Sequence, residues 1–167
     1  MLFNNKRFMA NADNKLSELK VEDFHAKDLQ NGEDTLANCW NHQKYMQEKV
    51  YGYDFSQITI GQIVDFCFMN KHAIEDEMGE FMDALGGIED GVGNAAWKPW
   101  KKANAEIRAK KISDLTDADR KELKMEFVDM LHFFMNFGIV IGMDPKEVYN
   151  MYFAKAGENV NRQNKGY

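Results

Sequence analysis

Five acidic side chains fall within nine residues of one helix-like segment, at Glu75, Asp76, Glu77, Glu80 and Asp83. Glu77 and Glu80 stand three residues apart, so a helix places both carboxylates on one face. Like charges this close destabilise a helix by roughly 0.2–0.5 kcal/mol per pair unless a cation offsets them. The pair therefore indicates a candidate metal site, although a single E-x-x-E on a helix is more often a solvated face.

A second pair of carboxylates, Glu126 and Asp129, repeats the same spacing farther along the chain. Two antiparallel helices that face each other would bring all four carboxylates together. Hard oxygen ligands of this kind suit Mg²⁺, with Mn²⁺ as a substitute. The four acids therefore predict a divalent metal site between two helices.

Two other classes of protein compete with this interpretation. In a di-iron bundle each of two helices supplies Glu-x-x-His, and Asp129 with His132 offers one altered half of that motif. The acidic helix has no histidine at the matching place, because His72 precedes Glu75. A helical interaction module without catalysis is the third possibility.

Amides, aromatic rings and cations supply candidate groups for a nucleotide. Gln43 and Gln47 share a helical stripe with Trp40, and a buried amide needs a hydrogen-bond partner. Trp97 and Trp100 have the spacing of one helical turn and could stack on a base. Three cations, one amide and one phenol that could bind phosphate oxygens gather near the C-terminus: Lys155, Arg162, Lys165, Asn159 and Tyr167. The alternatives are core packing for the amides and rings and a solubilising tail for the cations.

Helical signals position these groups and predict an all-α bundle with two antiparallel core helices that carry facing carboxylate pairs. Helices should begin after Asp34, Thr59, Thr116 and Asp144, each a good N-cap, and Pro99 should open a short one. The second helix should end at Gly86-Gly87, the long helix after Thr116 at Gly142, and the last near Asn161. The predicted apolar faces of the two carboxylate helices are Ile60, Ile63, Cys67, Ile74, Met78, Phe81 and Leu85 on one and Leu123, Phe127, Met130, Leu131 and Phe134 on the other.

The composition favours a single cytosolic domain. The chain has 167 residues and a formal net charge of -6, which argues against nucleic-acid binding. No apolar run reaches the length of a membrane span. Cys39 and Cys67 are predicted to be reduced core residues. One domain over residues 1–167 is expected, with residues 1–33 as a possible N-terminal arm.

Four ordered segments together resemble the all-α nucleotide pyrophosphatases, the family that includes dimeric dUTPase, and within it the phage-type dCTP/dUTP pyrophosphatases. They cover the chain from about residue 36 to its end: residues 40–47 (WNHQKYMQ), 77–83 (EMGEFMD) leading to 97–102 (WKPWKK), 126–134 with EFVD and HFF, and 155–167. The resemblance implies Mg²⁺-dependent hydrolysis of dCTP or dUTP to the monophosphate and pyrophosphate, which would control pyrimidine deoxynucleotide pools. It also implies a homodimer or a larger homo-oligomer, in the host cytoplasm if the protein is viral.

The resemblance assigns roles by position. Glu77, Glu80, Glu126 and Asp129 match the metal-binding carboxylates, and Glu77 or Glu80 would orient the attacking water. Base-binding positions are Gln43, Gln47, Trp97, Trp100 and His132, and phosphate-binding positions are Lys155, Asn159, Arg162, Lys165 and Tyr167. Dimeric dUTPases carry asparagine where this chain has Gln47, a difference that favours cytosine, or both pyrimidines, over strict uracil specificity. The chain is also shorter than the dimeric dUTPases, as the phage-type enzymes are.

Overall fold

The computed structural model describes residues 34–89, 92–93 and 96–166. The predicted N-terminal arm and Tyr167 lie outside the described residues. Backbone contacts divide the chain into two compact units. The first unit contains the described residues through Ile58 and those from Gly138 onward, and the second unit is Thr59–Phe137. The prediction of one domain over the whole chain stays a prediction.

Helices account for most of the described residues, and the all-α prediction is confirmed. They are α1 (Thr35–Tyr45), α2 (Ile60–Ala84), α3 (Ala105–Ala109), α4 (Asp117–Val140) and α5 (Pro145–Asn164). A π-helical turn, Met46–Val50, continues α1, and 3₁₀ turns at Lys102–Asn104 and Ile112–Asp114 flank α3. Two short antiparallel strands, β1 (Ile88–Glu89) and β2 (Val92–Gly93), form a hairpin where the sequence predicted a loop.

The predicted N-caps are present because each satisfies backbone N–H groups that a helix leaves free in its first turn. The Asp34 carboxylate accepts a hydrogen bond from the Ala37 amide at 2.9 Å. Thr59 with Gln62 forms a capping box at α2. Asp144 with Glu147 forms another at α5, with Pro145 in the first turn. The last helix ends at Asn164, one turn later than predicted, since no glycine or proline stops it at Asn161.

Pro99 does not begin a helix, so that prediction is wrong. The Lys98 carbonyl accepts hydrogen bonds from the Lys101 backbone amide at 3.3 Å and from the Asn104 side-chain amide at 3.2 Å. These two bonds close residues 98–101 into a turn, and helical structure starts only with the 3₁₀ turn at Lys102. A proline suits the second position of such a turn as well as it suits a first helical turn, which is why the sequence signal was ambiguous.

The predicted apolar faces are only partly buried. On α2, Ile60 is 77% exposed and Met78 is also exposed. On α4, Leu123 is buried, whereas the stripe of Phe127, Leu131 and Phe134 is exposed. Periodicity reveals that a helix has an apolar stripe, but it does not reveal which stripe meets a neighbouring element. In the second unit the buried side is set by contacts among Ala84, Leu115 and Leu123, against which Phe81 and Leu85 pack.

Close packing in the first unit requires a glycine that the sequence analysis did not single out. Trp40 of α1 is buried, and a Cβ atom built on Gly138 would overlap its ring. Any larger side chain at residue 138 would therefore displace the tryptophan. The helices α1 and α5 also contact each other within this unit.

The two cysteines are free, as predicted, but Cys39 is exposed and the prediction that it is a core residue is wrong. Within the described ranges no single helix is long and apolar enough to cross a membrane, and α4 and α5 meet that test only as a bent pair taken together.

Candidate active site

Three of the four predicted metal ligands converge in the second unit. Glu77 of α2 and Glu126 and Asp129 of α4 place one carboxylate oxygen each so that all three oxygens lie within 4.8 Å of one another. Asn70 of α2 also contacts Asn136 of α4. The contacts run from residue 70 to 77 on one helix and from 136 back to 129 on the other, so the two helices are antiparallel, as predicted.

Glu126 is the least solvated member of this group, at 7% exposure. Its Oε2 atom is buried and has no hydrogen-bond partner among the described residues. Burial, and after it the charge of Glu80, raises the pKa of this carboxyl to about 7. A buried, unsatisfied carboxylate oxygen costs free energy that a bound cation would recover. The donor set therefore fits a hard divalent ion.

Glu77 shares this environment. Burial raises the pKa of its carboxyl first, and the charges of Glu80 and Asp129 raise it further, while a hydrogen bond with Glu126 acts in the opposite direction. Raised pKa values on two neighbouring carboxyls mark a place where like charges are confined together. The site thus combines excess negative charge with one buried and two partly buried carboxylates, an arrangement that favours a cation.

Glu80 is exposed and is not one of the three convergent ligands. Its charge nevertheless contributes to the raised pKa of both Glu77 and Glu126. It therefore stands at the edge of the group, where solvent and a substrate can reach it. The structure separates a buried ligand from an exposed carboxylate, a distinction that the E-x-x-E pattern does not contain.

The neighbouring acids and histidines have other partners. Glu75 forms an ion pair with Lys71, and its other oxygen lies 3.1 Å from Nδ1 of the His72 ring. These interactions, that with Lys71 first, lower the pKa of the Glu75 carboxyl. The His132 ring lies beside the site, with Nδ1 at 3.6 Å from an Asp129 oxygen. The group of three ligands found among the described residues contains no histidine, unlike the Glu-x-x-His pattern of di-iron bundles.

A hydrogen bond connects α2 to the segment that carries Trp97 and Trp100. The Trp97 indole N–H donates to the Asp83 carboxylate at 3.1 Å. The Trp97 and Trp100 rings pack edge to face with centroids 6.0 Å apart, and the Lys98 ammonium lies 4.5 Å from the Trp97 ring centroid. Asp83 lies one turn after Glu80 on α2, and its role as an anchor was not visible in the sequence. Trp100 remains 69% exposed and offers an open ring face.

In the first unit Gln43 and Gln47 are both buried, on the same side as Trp40. The helix changes to π-helical winding at Met46, between these two amides. Such local changes of winding often occur at functional positions because they re-aim a side chain. The sequence predicted the shared stripe but contained no signal for the change of winding.

The predicted phosphate-binding residues lie along α5 and its C-cap, and those described are all exposed: Lys155, Asn159, Arg162 and Lys165. Glu158, which the sequence analysis did not consider, forms ion pairs with both Lys155 and Arg162. Hydrogen bonding to Lys155 is the main cause that lowers the pKa of Glu158. The two cations, about two helical turns apart, are therefore held around a single carboxylate that lies between them.

Curated proteins of bacteriophages are similar to this chain. A dCTP pyrophosphatase of Enterobacteria phage LZ5 is 33% identical over 157 residues, which cover 89% of this chain and 91% of that protein. A dCTP pyrophosphatase of Enterobacteria phage T4 is 34% identical over 111 residues, 65% of each chain. A DNA replication protein of the same phage is 33% identical over 99 residues, 25% of its length. No family model and no solved structure matches.

Proposed function

Because the chain belongs to the family of the phage dCTP pyrophosphatases, we propose that it is a hydrolase that converts dCTP to dCMP and pyrophosphate with the help of Mg²⁺. Two observations support the metal requirement: the carboxylates of Glu77, Glu126 and Asp129 converge, and the buried Oε2 atom of Glu126 has no hydrogen-bond partner among the described residues. In this proposal those three carboxylates hold the ion, and Mn²⁺ can replace it. Bound there, the ion would lower the pKa of a coordinated water and offset charge on the phosphates.

The chain's own residues divide the remaining tasks. Glu80, or Glu77 beside it, accepts a hydrogen bond from the attacking water and orients it toward the α-phosphorus. The water oxygen forms the new bond to the α-phosphorus and gives up a proton through this carboxylate to solvent, the bond between the α-phosphorus and the bridging oxygen breaks, and pyrophosphate leaves. Exposed Lys155 and Arg162 stabilise its charge, together with Asn159, Lys165 and Tyr167.

Amides and aromatic rings select the base in this proposal. Gln43 and Gln47 read the pyrimidine edge, Trp97 and Trp100 stack on or border it, and His132 lies near the metal end. A primary amide can donate and accept hydrogen bonds, so Gln47 can meet either cytosine or uracil. We therefore propose dUTP as a second substrate, and removal of both nucleotides would lower the pyrimidine deoxynucleotide pools of the cell.

The decisive experiment measures pyrophosphate release from dCTP, dUTP, dTTP, dATP and dGTP by the purified protein in Mg²⁺, with EDTA and with Mn²⁺ in parallel. We expect pyrophosphate release from dCTP, and in addition from dUTP if it is a second substrate. EDTA should stop this release and Mn²⁺ should restore it. Release that persists in EDTA would contradict the metal requirement. A folded, Mg²⁺-supplied protein that cleaves none of the five nucleotides would contradict the whole proposal.

We also propose that the protein forms a homodimer or a larger homo-oligomer. Phe127, Leu131 and Phe134 recur at helical spacing on α4 and are exposed, Phe134 by 67%. Burying a side chain of this size contributes about 1.5–3 kcal/mol, so an exposed stripe of three favours association. A second copy of the chain presents the same stripe and can cover it with two-fold symmetry.

Charge placed on this stripe should dissociate the assembly. We expect the double variant Phe127→Glu, Phe134→Glu to elute as a monomer, because association would have to bury two carboxylates against apolar side chains. Size-exclusion chromatography with light scattering measures the mass. The matched variant Phe127→Leu, Phe134→Leu keeps the stripe apolar and should keep the wild-type mass. A wild-type protein that is already monomeric would refute the proposal.

A further inference from the structure

The two asparagines that join α2 to α4 are the largest fully buried side chains in the described part of the chain. Asn70 is 1% exposed and Asn136 is 2% exposed. The Asn136 side-chain amide donates to the Asn70 side-chain oxygen at 2.6 Å. The Asn70 amide in turn donates to the Phe66 carbonyl at 2.8 Å. A directional chain of hydrogen bonds therefore crosses the interior between the two carboxylate helices.

Buried amides are an unfavourable way to fill a helix interface. Their polar groups lose water on folding, and apolar side chains of similar volume fill the same space without that loss. What an amide pair adds is direction, because its bond forms at one register of the two helices and breaks when either helix slides or turns. Buried asparagines fix the alignment of helices in this way in coiled coils.

The register that pairs the asparagines is also the register that pairs the metal ligands. Glu77 follows Asn70 by seven residues on α2, and Asp129 precedes Asn136 by seven residues on α4. Seven residues are close to two full turns, so each carboxylate lies on the same face as its asparagine, about 10 Å away along the helix. In antiparallel helices these equal offsets set Glu77 opposite Asp129 whenever Asn70 meets Asn136.

We propose that Asn70 and Asn136 are positioning residues for the reaction: their hydrogen bond fixes the register of α2 and α4 and thereby holds Glu77, Glu126 and Asp129 at the separation that a divalent ion needs. The inference rests on the proposed function, since it concerns the same metal site. The two asparagines act through the carboxylates and do not touch the ion. Apolar replacements keep the helices packed but leave several registers close in energy.

The test compares Mg²⁺ binding with stability in the double variant Asn70→Leu, Asn136→Leu. Calorimetric titration with Mg²⁺ in the absence of nucleotide gives a Kd that does not depend on turnover, and a melting curve gives Tm. We expect the Kd to rise by about tenfold or more, as for groups that orient metal ligands, while Tm stays level or increases. The Mg²⁺ concentration at half-maximal activity should rise in parallel. We expect kcat to fall, while the KM for dCTP changes less.

Two single variants separate positioning from loss of packing. Met135→Ala opens a cavity at the buried neighbour of Asn136 and should lower Tm without changing the Mg²⁺ affinity beyond twofold. Asn136→Ser breaks the amide pair without adding volume, so it provides the same test if the double leucine variant does not fold. Asn136→Ser should weaken Mg²⁺ binding more than Met135→Ala does, although it should lower Tm by the same amount or less.

Two results would overturn the inference, and they are distinguishable. If the wild-type protein binds Mg²⁺ and cleaves dCTP, but the folded asparagine variants bind Mg²⁺ within twofold of wild type, the amide pair has no positioning role and the proposed function stands. If the wild-type protein binds no Mg²⁺ in calorimetry, the metal site fails and the inference fails with it.

Discussion

Glu126→Gln is expected to abolish dCTP hydrolysis and, in the same protein, to raise the stability of the metal-free fold at neutral pH. Even groups that only orient metal ligands contribute tenfold to a hundredfold to affinity or activity, so loss of a ligand should lower kcat/KM by more than about a hundredfold. Glutamine keeps the shape of Glu126 but cannot carry the charge that the ion requires. A variant that loses activity but gains stability identifies a metal ligand whose buried charge destabilises the fold when no ion is bound.

The stability effect has a definite sign and pH range. The pKa of Glu126 rises from an ordinary 4.5 to about 7 in the folded protein without metal. Between these values the folded state holds a proton that the unfolded state has released, so the contribution of Glu126 to stability falls as the pH rises from 4.5 through 7. Glutamine does not titrate, and the variant should lose less stability over that range than the wild type.

Melting curves in EDTA at pH 5 and pH 8 test this expectation, alongside pyrophosphate release at saturating Mg²⁺. Glu122→Gln is the matched control, because it makes the same change on the same helix at an exposed residue outside the ligand group. It should keep kcat/KM within a few-fold of wild type. A Glu126→Gln enzyme that retains a tenth of the activity, or that loses Tm with pH as steeply as wild type in EDTA, would argue against a metal at this carboxylate.

Arg162→Ala should lower kcat/KM for dCTP by about a hundredfold, the usual loss when one charged or hydrogen-bonding group no longer stabilises a leaving oxyanion. In the structure the Arg162 guanidinium contacts Glu158 at 2.8 Å, and Lys155 contacts the same carboxylate. These ion pairs are exposed, where such pairs contribute little to stability, so a triphosphate can displace Glu158 from both cations.

Because Glu158 competes with the substrate for both cations, removing its charge should change kcat/KM in the opposite direction from removing Arg162. Glu158→Gln removes the competitor for both cations and should lower the KM for dCTP by a few-fold, whereas Arg162→Ala should mainly lower kcat. Lys146→Ala, in the first turn of α5, removes an exposed cation far along the same helix and should change neither parameter. Initial rates against dCTP at saturating Mg²⁺ separate kcat from KM. If Arg162→Ala and Lys146→Ala behaved alike, α5 would not bind the leaving group.

The helix starts and the carboxylate pairs could be predicted from the sequence because both are local. A capping side chain such as Asp34 or Thr59 bonds to an amide three residues away, so the signal and its partner lie within one turn. The spacing of Glu77 from Glu80 likewise settles that they share a helix face. Membership of the family also follows from the sequence, since a dCTP pyrophosphatase of phage LZ5 is 33% identical over 89% of the chain.

Only the tertiary structure decided which of these groups meet. Glu77 and Glu126 are 49 residues apart in the chain, and no local rule places one carboxylate in the interior and leaves Glu80 in solvent. The Asn70–Asn136 bond spans 66 residues and has no periodic signal, because one polar residue on an apolar face looks like a defect in the pattern. Burial, desolvation and register arise when two helices pack against each other, and that packing depends on all the contacts along both faces at once.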